Sequence, residues 1–274
     1  HLKRNKAKGI AVDGVPIKKT ADLLGICNVV FFSPEDLEII ERGPDARRHF
    51  IDMELCQLDP MYLFYLTKYK QVLRQRNELL KQIGLNKDLL DTLDIWNSEL
   101  VKYGNYVISA RKSFIDKLND YIQEIHKNLT GQRETITLRY EPSVREDEFA
   151  AQIVMSEQKD LFTGTTNIGP HRDDLSFLSE GIDFREYGSR GQKRTAALSL
   201  KLTEIKIVEE KKGEKPILLL DDVLSELDRN RQNYLLEHIK GIQTIITCTG
   251  LEEFVKNGIN IQKTFEIESG KVKR

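Results

Sequence analysis

Apolar residues in the second half of the chain occur in short continuous runs that end in polar turns. Residues 217–220 read ILLL, and Asp221 and Asp222 follow them directly. A run that is apolar on both sides predicts a strand covered on both faces, as in a parallel α/β sheet. Because ligands of such sheets bind at the carboxyl ends of the strands, we expect the two carboxylates to emerge at a ligand-binding edge.

Two interpretations of this carboxylate pair are open. Mg²⁺ keeps several waters and takes one or two protein carboxylates together with substrate phosphates, so the pair suits a hydrated Mg²⁺. A hydrophobic strand that ends in two aspartates also often caps a loop without binding a ligand. The neighbouring segments decide between the two interpretations, and they favour ligand binding.

A helix with an apolar stripe is predicted upstream of this strand. Residues 195–210 read TAALSLKLTEIKIVEE, which contains neither Pro nor Gly. Ser189 is a candidate N-cap, and Gly188 and Gly191 let a ligand approach the backbone. The unpaired N–H groups, the helix dipole and the basic residues from Arg190 onward converge on one point that attracts phosphate. The alternative is an ordinary capped helix, but basic residues in its first turn oppose the dipole, which indicates a bound anion.

In the middle of the chain the apolar residues recur at helical spacing. Two long helices are predicted, at residues 61–83 and 88–129, and Gly104 is a candidate break point in the second. A seam at spacings of three, four or seven comprises Leu100, Val107, Phe114, Leu118, Tyr121 and Ile125. Such a seam is more often the core of a hairpin than a partner-binding site.

Shorter elements flank the two long helices. Before them we predict a strand at residues 29–32 and a short helix that begins at Pro34. After them the pattern predicts a strand at residues 135–140 and a helix at residues 148–157. The chain therefore divides into three predicted parts: residues 1–59, a helical part at residues 60–130, and residues 131–274.

Composition limits the classes of protein that the chain can represent. The 274 residues carry a formal net charge of −1, so any polyanion must be bound by a local patch. The three cysteines are scattered, which indicates reduced thiols. No apolar run approaches the ~20 residues of a membrane span. We therefore predict a cytoplasmic protein.

Two groups of basic residues are candidate contacts for nucleic-acid phosphates. The first long helix carries Lys68, Lys70, Arg74, Arg76 and Lys81, and the segment before it carries Arg47 and Arg48. Such side chains can contact backbone phosphates without recognising base sequence. A charged stripe opposite an apolar one is also what any exposed helix shows, and the charge pattern alone favours that interpretation.

The segment GPHRDD places His171 and Arg172 beside two aspartates. A His next to Arg and Asp is compatible with catalysis. A loop stabilised by Arg–Asp pairing is the favoured interpretation, because ion pairs of this kind are more often structural.

The order of these segments resembles the ATPases of the ATP-binding-cassette (ABC) type. SRGQ followed by a helix, the apolar strand that ends in DD, and SELD are similar to the signature motif, the Walker B strand and the D-loop. Longer strings narrow the resemblance to the bacterial RecF family of recombination mediators. These strings are GPDARRHFID at residues 43–52, YKQVLRQRNELLK at residues 69–81, IGPHRDDLSF at residues 168–177 and YGSRGQKRTAALSLKL at residues 187–202.

The resemblance implies an α/β fold, an SMC-like ABC-type ATPase head with an inserted antiparallel helical arm. In this family two ATP molecules lie between two subunits, so an ATP-dependent homodimer is expected. Asp221 is expected to hold the water shell of Mg²⁺, and Asp222 to act as general base, where most cassette ATPases have Glu; slow turnover is therefore expected. The other residues expected at the ATP site are Ser189, Arg190, Gly191 and Gln192 of the signature motif, Ser225 and Asp228 of the D-loop, and Thr249 at the switch position, with Thr247 as second choice.

The resemblance also implies partners and a process. DNA, including single strands and single-strand to duplex junctions, is the expected ligand, and RecR and RecO are the expected protein partners. The expected role is recombinational DNA repair, with help in loading a recombinase, maintenance of replication forks and a place in the SOS response. A nucleoid-associated location follows. The alternative is a cassette-like dimerisation head with negligible ATP turnover.

One motif of the family is missing from the sequence. Walker A, G-x-x-x-x-G-K-[ST], has no match, and the only Gly-Lys pair, Gly270–Lys271, is followed by Val272. We expect the chain to be a fragment that lacks the N-terminal Walker A segment. On its own it is then expected to be inactive, whereas a weak DNA-dependent ATPase is expected of the complete protein. Residues before about Val29 are expected to be poorly ordered.

Overall fold

The computed structural model describes residues 9–17, 23–249 and 261–273. The described strands are β1 (Ile10–Val12), β2 (Val15–Ile17), β3 (Val29–Phe32), β4 (Thr137–Glu141), β5 (Asp174–Ser179), β6 (Ile182–Asp183), β7 (Ile217–Asp221), β8 (Thr244–Thr247), β9 (Glu266–Glu268) and β10 (Lys271–Lys273). The described helices are α1 (Glu38–Glu41), α2 (Pro44–Leu58), α3 (Pro60–Ile83), α4 (Leu93–Leu129), α5 (Phe149–Met155), α6 (Glu157–Thr163), α7 (Phe184–Tyr187), α8 (Arg190–Lys212) and α9 (Arg229–His238).

A three-stranded parallel sheet with the order β3-β7-β8 carries the predicted strand. One face is buried, since Val30, Phe32 and Leu218 are at most 1% exposed. On the other face Phe31 is 46% and Ile245 57% exposed. The parallel sheet predicted from sequence is present, and on this second face Ile217 and Leu219 of β7 are half-buried, so the face is covered less completely than expected. The apolar run alone could not reveal this, because it reports hydrophobicity on both faces and not what packs against them.

The two long helices form an antiparallel hairpin. Contacts pair the start of α3 with the middle of α4, as in the stacked rings of Tyr65 and Tyr106, and pair Arg76 near the end of α3 with Asn97 near the start of α4. The predicted seam is buried except for Tyr121, whose hydroxyl donates to Glu210 of α8. The seam therefore packs inside the molecule, as expected for a hairpin core.

Gly104 does not break α4, which runs without interruption from Leu93 to Leu129. A Cβ on Gly104 would lie 2.5 Å from the ring of Phe149 and 3.1 Å from that of Tyr69. The glycine thus allows two aromatic rings to press against the helix. The predicted start at residue 88 is also wrong, since Lys87–Thr92 forms a 3₁₀ helix before α4.

The remaining predictions hold with shifted boundaries. A 3₁₀ helix, Pro34–Leu37, precedes α1, so the helix predicted at Pro34 begins in this tighter form. The strand predicted at residues 135–140 is β4, which forms an antiparallel sheet of order β4-β5-β6. The helix predicted at residues 148–157 is two short helices, α5 and α6, with Ser156 between them.

One hydrophobic core joins the hairpin to both larger sheets. Buried side chains run continuously from β3 through α2, α3 and α4 to α8 and β7. A second, smaller cluster closes the far end of the hairpin and contains Leu79, Leu80, Ile83 and Leu93. The division at residues 59 and 130 stays a prediction.

Three further predictions concern the thiols, membranes and the N-terminal segment. Cys27, Cys56 and Cys248 are free, as predicted. None of the helices in the described ranges combines the length and apolarity needed to cross a membrane. The expected disorder before about Val29 falls in part on residues 1–8 and 18–22, which lie outside the described residues, whereas β1 and β2 form an antiparallel hairpin.

Candidate functional site

The carboxyl edge of the parallel sheet brings Asp221 and Asp222 together with Thr247. Asp221 is the last residue of β7 and pairs in register with Thr247, the last residue of β8. The Thr247 hydroxyl donates to the Asp221 carboxylate. The Asp222 N–H reaches both the carbonyl and the hydroxyl oxygen of Thr247, each at 3.2 Å. The structure therefore places Thr247, the second-choice switch residue, against the Asp221 carboxylate and the Asp222 N–H, whereas Thr249 is exposed two residues beyond the strand.

Asp222 has a left-handed backbone conformation, with φ of 50°. Non-glycine residues adopt this conformation uncommonly, and Asp and Asn tolerate it best. The turn is held by the Ser225 hydroxyl, which donates to the Asp222 carbonyl at 2.8 Å. The Asp222 side chain is exposed at the edge of the sheet as a result. No sequence signal indicated this turn.

The D-loop residue Asp228 caps the next helix. Its carboxylate accepts from the N–H groups of Asn230 at 3.0 Å and Arg231 at 3.1 Å, and it also pairs with the Arg231 guanidinium. Partial desolvation opposes ionisation, but the N–H and guanidinium of Arg231 outweigh it and lower the pKa of Asp228. Gln232 fixes the loop from inside by donating to the Leu224 carbonyl at 2.8 Å. Ser225 and Asp228 are thus held in a rigid turn at the start of α9.

The signature segment forms a capping box at the start of α8. The Gln192 N–H donates to the Ser189 hydroxyl at 3.3 Å, and the Ser189 N–H donates to the Gln192 side-chain oxygen at 2.8 Å. The predicted N-cap is confirmed. The prediction did not include the second half of the cap, in which the Gln192 side chain accepts from the Ser189 N–H. The signal was present, because Ser followed three residues later by Gln is the sequence signature of a capping box.

Gly191 and Arg190 present an open surface beside this cap. Both are exposed, and nothing lies within 4 Å of the position that a Cβ on Gly191 would occupy. Another backbone or a phosphate can therefore approach Gly191 closely. The same chain thus offers an exposed helix start and, separately, an exposed carboxylate edge.

The segment GPHRDD is a partly buried structural centre. Asp173 pairs with Arg111 at 3.0 Å, and Asp174 pairs with Arg47 at 2.6 Å. The predicted Arg–Asp pairing is confirmed, but the partners come from α4 and α2, and not from the adjacent Arg172.

His171 is fixed between two neutral groups. Its Nδ1 accepts from the Tyr69 hydroxyl at 2.7 Å, because its Nε2–H must donate to the Thr166 carbonyl at 3.0 Å. Burial lowers the pKa of His171 to about 4, so the ring is neutral at pH 7. These contacts occupy both nitrogens, which supports the structural interpretation over catalysis.

Two of the basic residues considered for nucleic-acid contact are buried. Arg76 is fully buried and binds Asp160 at 2.8 Å, and Arg47 is 2% exposed. Lys70 pairs with Asp52 at 3.2 Å. Arg76 and Arg47 are therefore removed from the candidates, since a buried guanidinium cannot reach a DNA backbone.

The carboxylate edge fits a metal ion whose other ligands come from water and phosphate. Asp221 and Asp222 are exposed, and oxygen donors of this kind suit Mg²⁺. Within the described ranges, no group of three His, Cys, Asp or Glu side chains is arranged to hold a metal by protein ligands alone.

The fold and the order of its motifs define the class: an α/β head of the ABC-type ATPase fold with a helical hairpin inserted before the signature segment. Comparison with known proteins gives the family. The chain is 57% identical over 274 residues to the DNA replication and repair protein RecF of Lachnoclostridium phytofermentans and covers 76% of that protein. It is 54% identical over 272 residues to RecF of Agathobacter rectalis, of which it covers 75%.

Solved structures agree with these relatives. A structure of the recombination mediator protein RecF–ATP in the RecFOR pathway matches with a TM-score of 0.89 and 38% identity, over 98% of this chain and 73% of that one. No protein-family model matches the chain. The identities and coverage show that the chain belongs to the RecF family of DNA replication and repair proteins.

Proposed function

We propose that this chain supplies the signature, Walker B and D-loop parts of an ATP-operated switch in recombinational DNA repair. Two copies would close on ATP, each carboxylate edge facing the signature helix of the other copy. The observation that carries the proposal is the presence of two exposed half-sites in one chain, the capped start of α8 and the edge at Asp221. A related solved structure, RecF–ATP, supports ATP as the ligand.

Each exposed group has a chemical role in this proposal. Asp221 holds the water shell of Mg²⁺, and Asp222 polarises the attacking water. Ser189, Arg190, Gly191 and Gln192 contact the γ-phosphate held by the other copy. Thr247 contacts the Asp221 carboxylate and the Asp222 N–H, and it is better placed than Thr249 to respond to that phosphate.

DNA and the recombination proteins RecR and RecO are the proposed partners. A RecF relative is a recombination mediator in the RecFOR pathway, which supports both. We propose binding to single-strand to duplex junctions and help in recombinase loading, at the nucleoid. On the first long helix, Lys68, Arg74 and Lys81 lie at the surface and stay candidates for phosphate contact.

A dimerisation head with negligible turnover is the second candidate function. It is favoured by Asp222, which is one methylene shorter than the usual Glu and extends from a left-handed turn. Both proposals include ATP-dependent dimerisation. They differ in ATP hydrolysis, which depends on Asp222 in the first proposal and is negligible in the second.

The experiment is ATP-dependent dimerisation measured by light scattering. The chain as printed is compared with a version extended before His1 by a P-loop segment of the family, each with and without Asp222→Asn. We expect only the extended version to dimerise on ATP and the Asp222→Asn variant to stay dimeric for longer. Asn is the right replacement because it tolerates the left-handed backbone of Asp222.

Other outcomes have definite meanings. Equal dimer lifetimes for the extended protein with Asp222 intact and for its Asp222→Asn variant favour the head with negligible turnover. ATP-dependent dimerisation of the printed chain would overturn the roles given to Ser189 and Asp221, because the nucleotide would then be held without a P-loop.

A further inference from the structure

A line of polar side chains leads from the signature motif to the end of the helical hairpin. The Gln192 side-chain amide donates to Glu134 Oε1 at 3.3 Å. Glu134 Oε2 lies 3.7 Å from His126 Nε2, and His126 Nδ1 lies 2.9 Å from the Ser199 hydroxyl. The Ser199 hydroxyl in turn donates to the Thr195 carbonyl at 2.8 Å. The line thus joins the last turn of α4 to three positions on α8, Gln192, Thr195 and Ser199.

Proton counting gives two arrangements for this line. The single Ser199 hydroxyl hydrogen goes to the Thr195 carbonyl, with the proton of a neutral His126 on Nδ1, or it goes to His126 Nδ1, with that proton on Nε2. In the first arrangement His126 Nε2 and Glu134 Oε2 are two facing acceptors, and in the second the Nε2–H points toward the carboxylate. In both, the 3.7 Å between these two atoms is too long for a hydrogen bond, and both atoms are buried and without a hydrogen-bond partner among the described residues.

The surroundings keep the imidazole neutral. His126 is fully buried and packs beside the Phe184 ring, with centroids 6.0 Å apart. Burial and the guanidinium of Arg231 lower the pKa of His126 to about 4. Arg231 also pairs with Asp228 of the D-loop. The end of α4 is therefore adjacent to both motifs that, in the proposed function, face the other copy.

We propose that Glu134 is a positioning residue that holds Gln192 and, through His126, couples the helical hairpin to the signature motif. The inference rests on the proposed function for the role of Gln192, whereas the contacts themselves do not. One carboxylate oxygen of Glu134 fixes the Gln192 amide so that its carbonyl stays on the Ser189 N–H. The other oxygen faces His126 Nε2 at 3.7 Å, beyond hydrogen-bond distance, so the contact between hairpin and motif is weak and adjustable.

Two substitutions of Glu134 differ in what they remove. Gln at position 134 keeps a side-chain oxygen as the acceptor for Gln192 and removes only the negative charge that faces His126. We expect Glu134→Gln to keep the Tm within about 2 °C of the wild type and to preserve ATP-dependent dimerisation. Glu134→Ala removes both contacts and should raise the ATP concentration for half-maximal dimerisation about fivefold.

A double-mutant cycle tests whether Glu134 acts through Gln192. Glu134→Ala, Gln192→Ala and the double variant are compared in the P-loop-extended protein, by Tm and by ATP-dependent light scattering. If the proposal is right, Glu134→Ala has little further effect in the background of Gln192→Ala. Gln123→Ala, at an exposed position near the same end of α4, is the matched control and should change neither readout.

The outcomes separate the inference from the proposed function. Additive effects of Glu134→Ala and Gln192→Ala, or loss of ATP-dependent dimerisation in Glu134→Gln, would overturn the inference. If the extended wild type does not dimerise on ATP, the proposed function fails. The double-mutant cycle measured by Tm then tests the contact between Glu134 and Gln192 without any measurement of dimerisation.

Discussion

Two pairs of adjacent aspartates, Asp173–Asp174 and Asp221–Asp222, look alike in sequence and differ in their surroundings. Asp173 is 1% exposed and accepts from Arg111, Tyr140 and the Ser143 N–H. Asp221 and Asp222 are exposed, and Thr247 is their neighbour across the sheet edge. The first pair is saturated by protein donors, whereas the second has lone pairs available to a ligand.

This difference shows which pair of acids stabilises the fold and which pair is available to bind a ligand. A buried carboxylate without donors is costly, so the protein must supply them, and once supplied they exclude a ligand. An exposed carboxylate gains little from internal partners and loses little when a ligand replaces water. Substitutions should therefore affect the free energy of unfolding at the buried pair and nucleotide response at the exposed one.

The largest expected effect is loss of Arg111, the common partner of Asp52 and Asp173. Arg111 is 2% exposed and binds these carboxylates at 2.8 and 3.0 Å. Arg111→Met removes the cation of buried Asp173 and leaves buried Asp52 with Lys70 alone, and we expect a loss of about 3–5 kcal/mol in the free energy of unfolding. Denaturant unfolding measures it.

Arg139→Met is the matched control for this substitution. Arg139 pairs with Glu141 but its side chain is 62% exposed, so its loss should cost less than about 0.5 kcal/mol. Similar losses in the free energy of unfolding for Arg111→Met and Arg139→Met would contradict the distinction between charges bound inside the protein and charges left to solvent.

A smaller effect, with a characteristic pH dependence, is expected for Asp52→Asn. Burial alone would raise the pKa of Asp52, but Arg111, the Tyr62 hydroxyl and Lys70 outweigh it and lower the pKa. A lowered pKa stabilises the fold above the unfolded value of about 3.9, and this stability is lost as the pH falls through the folded value. We expect Asn to cost about 2 kcal/mol at pH 7 and progressively less below pH 4.

For Asp173→Asn we expect the opposite pH dependence from Asp52→Asn, so the two variants are measured together. Burial raises the pKa of Asp173 despite Arg111 and Tyr140. The folded state then holds this proton more tightly than the unfolded chain, so wild-type stability from this group falls as pH rises from about 4 through the raised value. Unfolding curves of both variants between pH 3 and 7 decide it. Parallel pH profiles would show that the two acids do not differ in this way.

The sequence predicted the elements of the exposed site better than its geometry. The strand that ends at Asp221 and the cap at Ser189 were predictable because each depends on local pattern: an apolar run, and a Ser before a helix. The left-handed turn at Asp222 and the contact with Thr247 depend on how β7 and β8 align. No local pattern encodes that alignment.

The buried charges were the hardest part to predict. Arg76 and Asp160 are far apart in sequence, and each is surrounded by polar residues typical of an exposed helix. The charge pattern therefore placed Arg76 on a surface stripe, whereas the fold buries it completely. Only a known three-dimensional partner distinguishes a solvated arginine from a buried one, because the residue types are the same.

The smallest expected effect on stability is at Gly191, which like the exposed aspartates is open to solvent. A Cβ there meets no atom within 4 Å, and the residue lies in the first turn of α8. Gly191→Ala should therefore raise stability by about 0.5 kcal/mol, because Ala restricts the unfolded chain. Gly213→Ala at the other end of α8 is the control and should cost about 1 kcal/mol, since Gly213 has φ of +74°. If a phosphate or a second copy approaches Gly191, the stabilised variant must dimerise less on ATP in the P-loop-extended protein. Unchanged dimerisation would place the contact elsewhere and leave the exposed aspartates without their proposed counterpart.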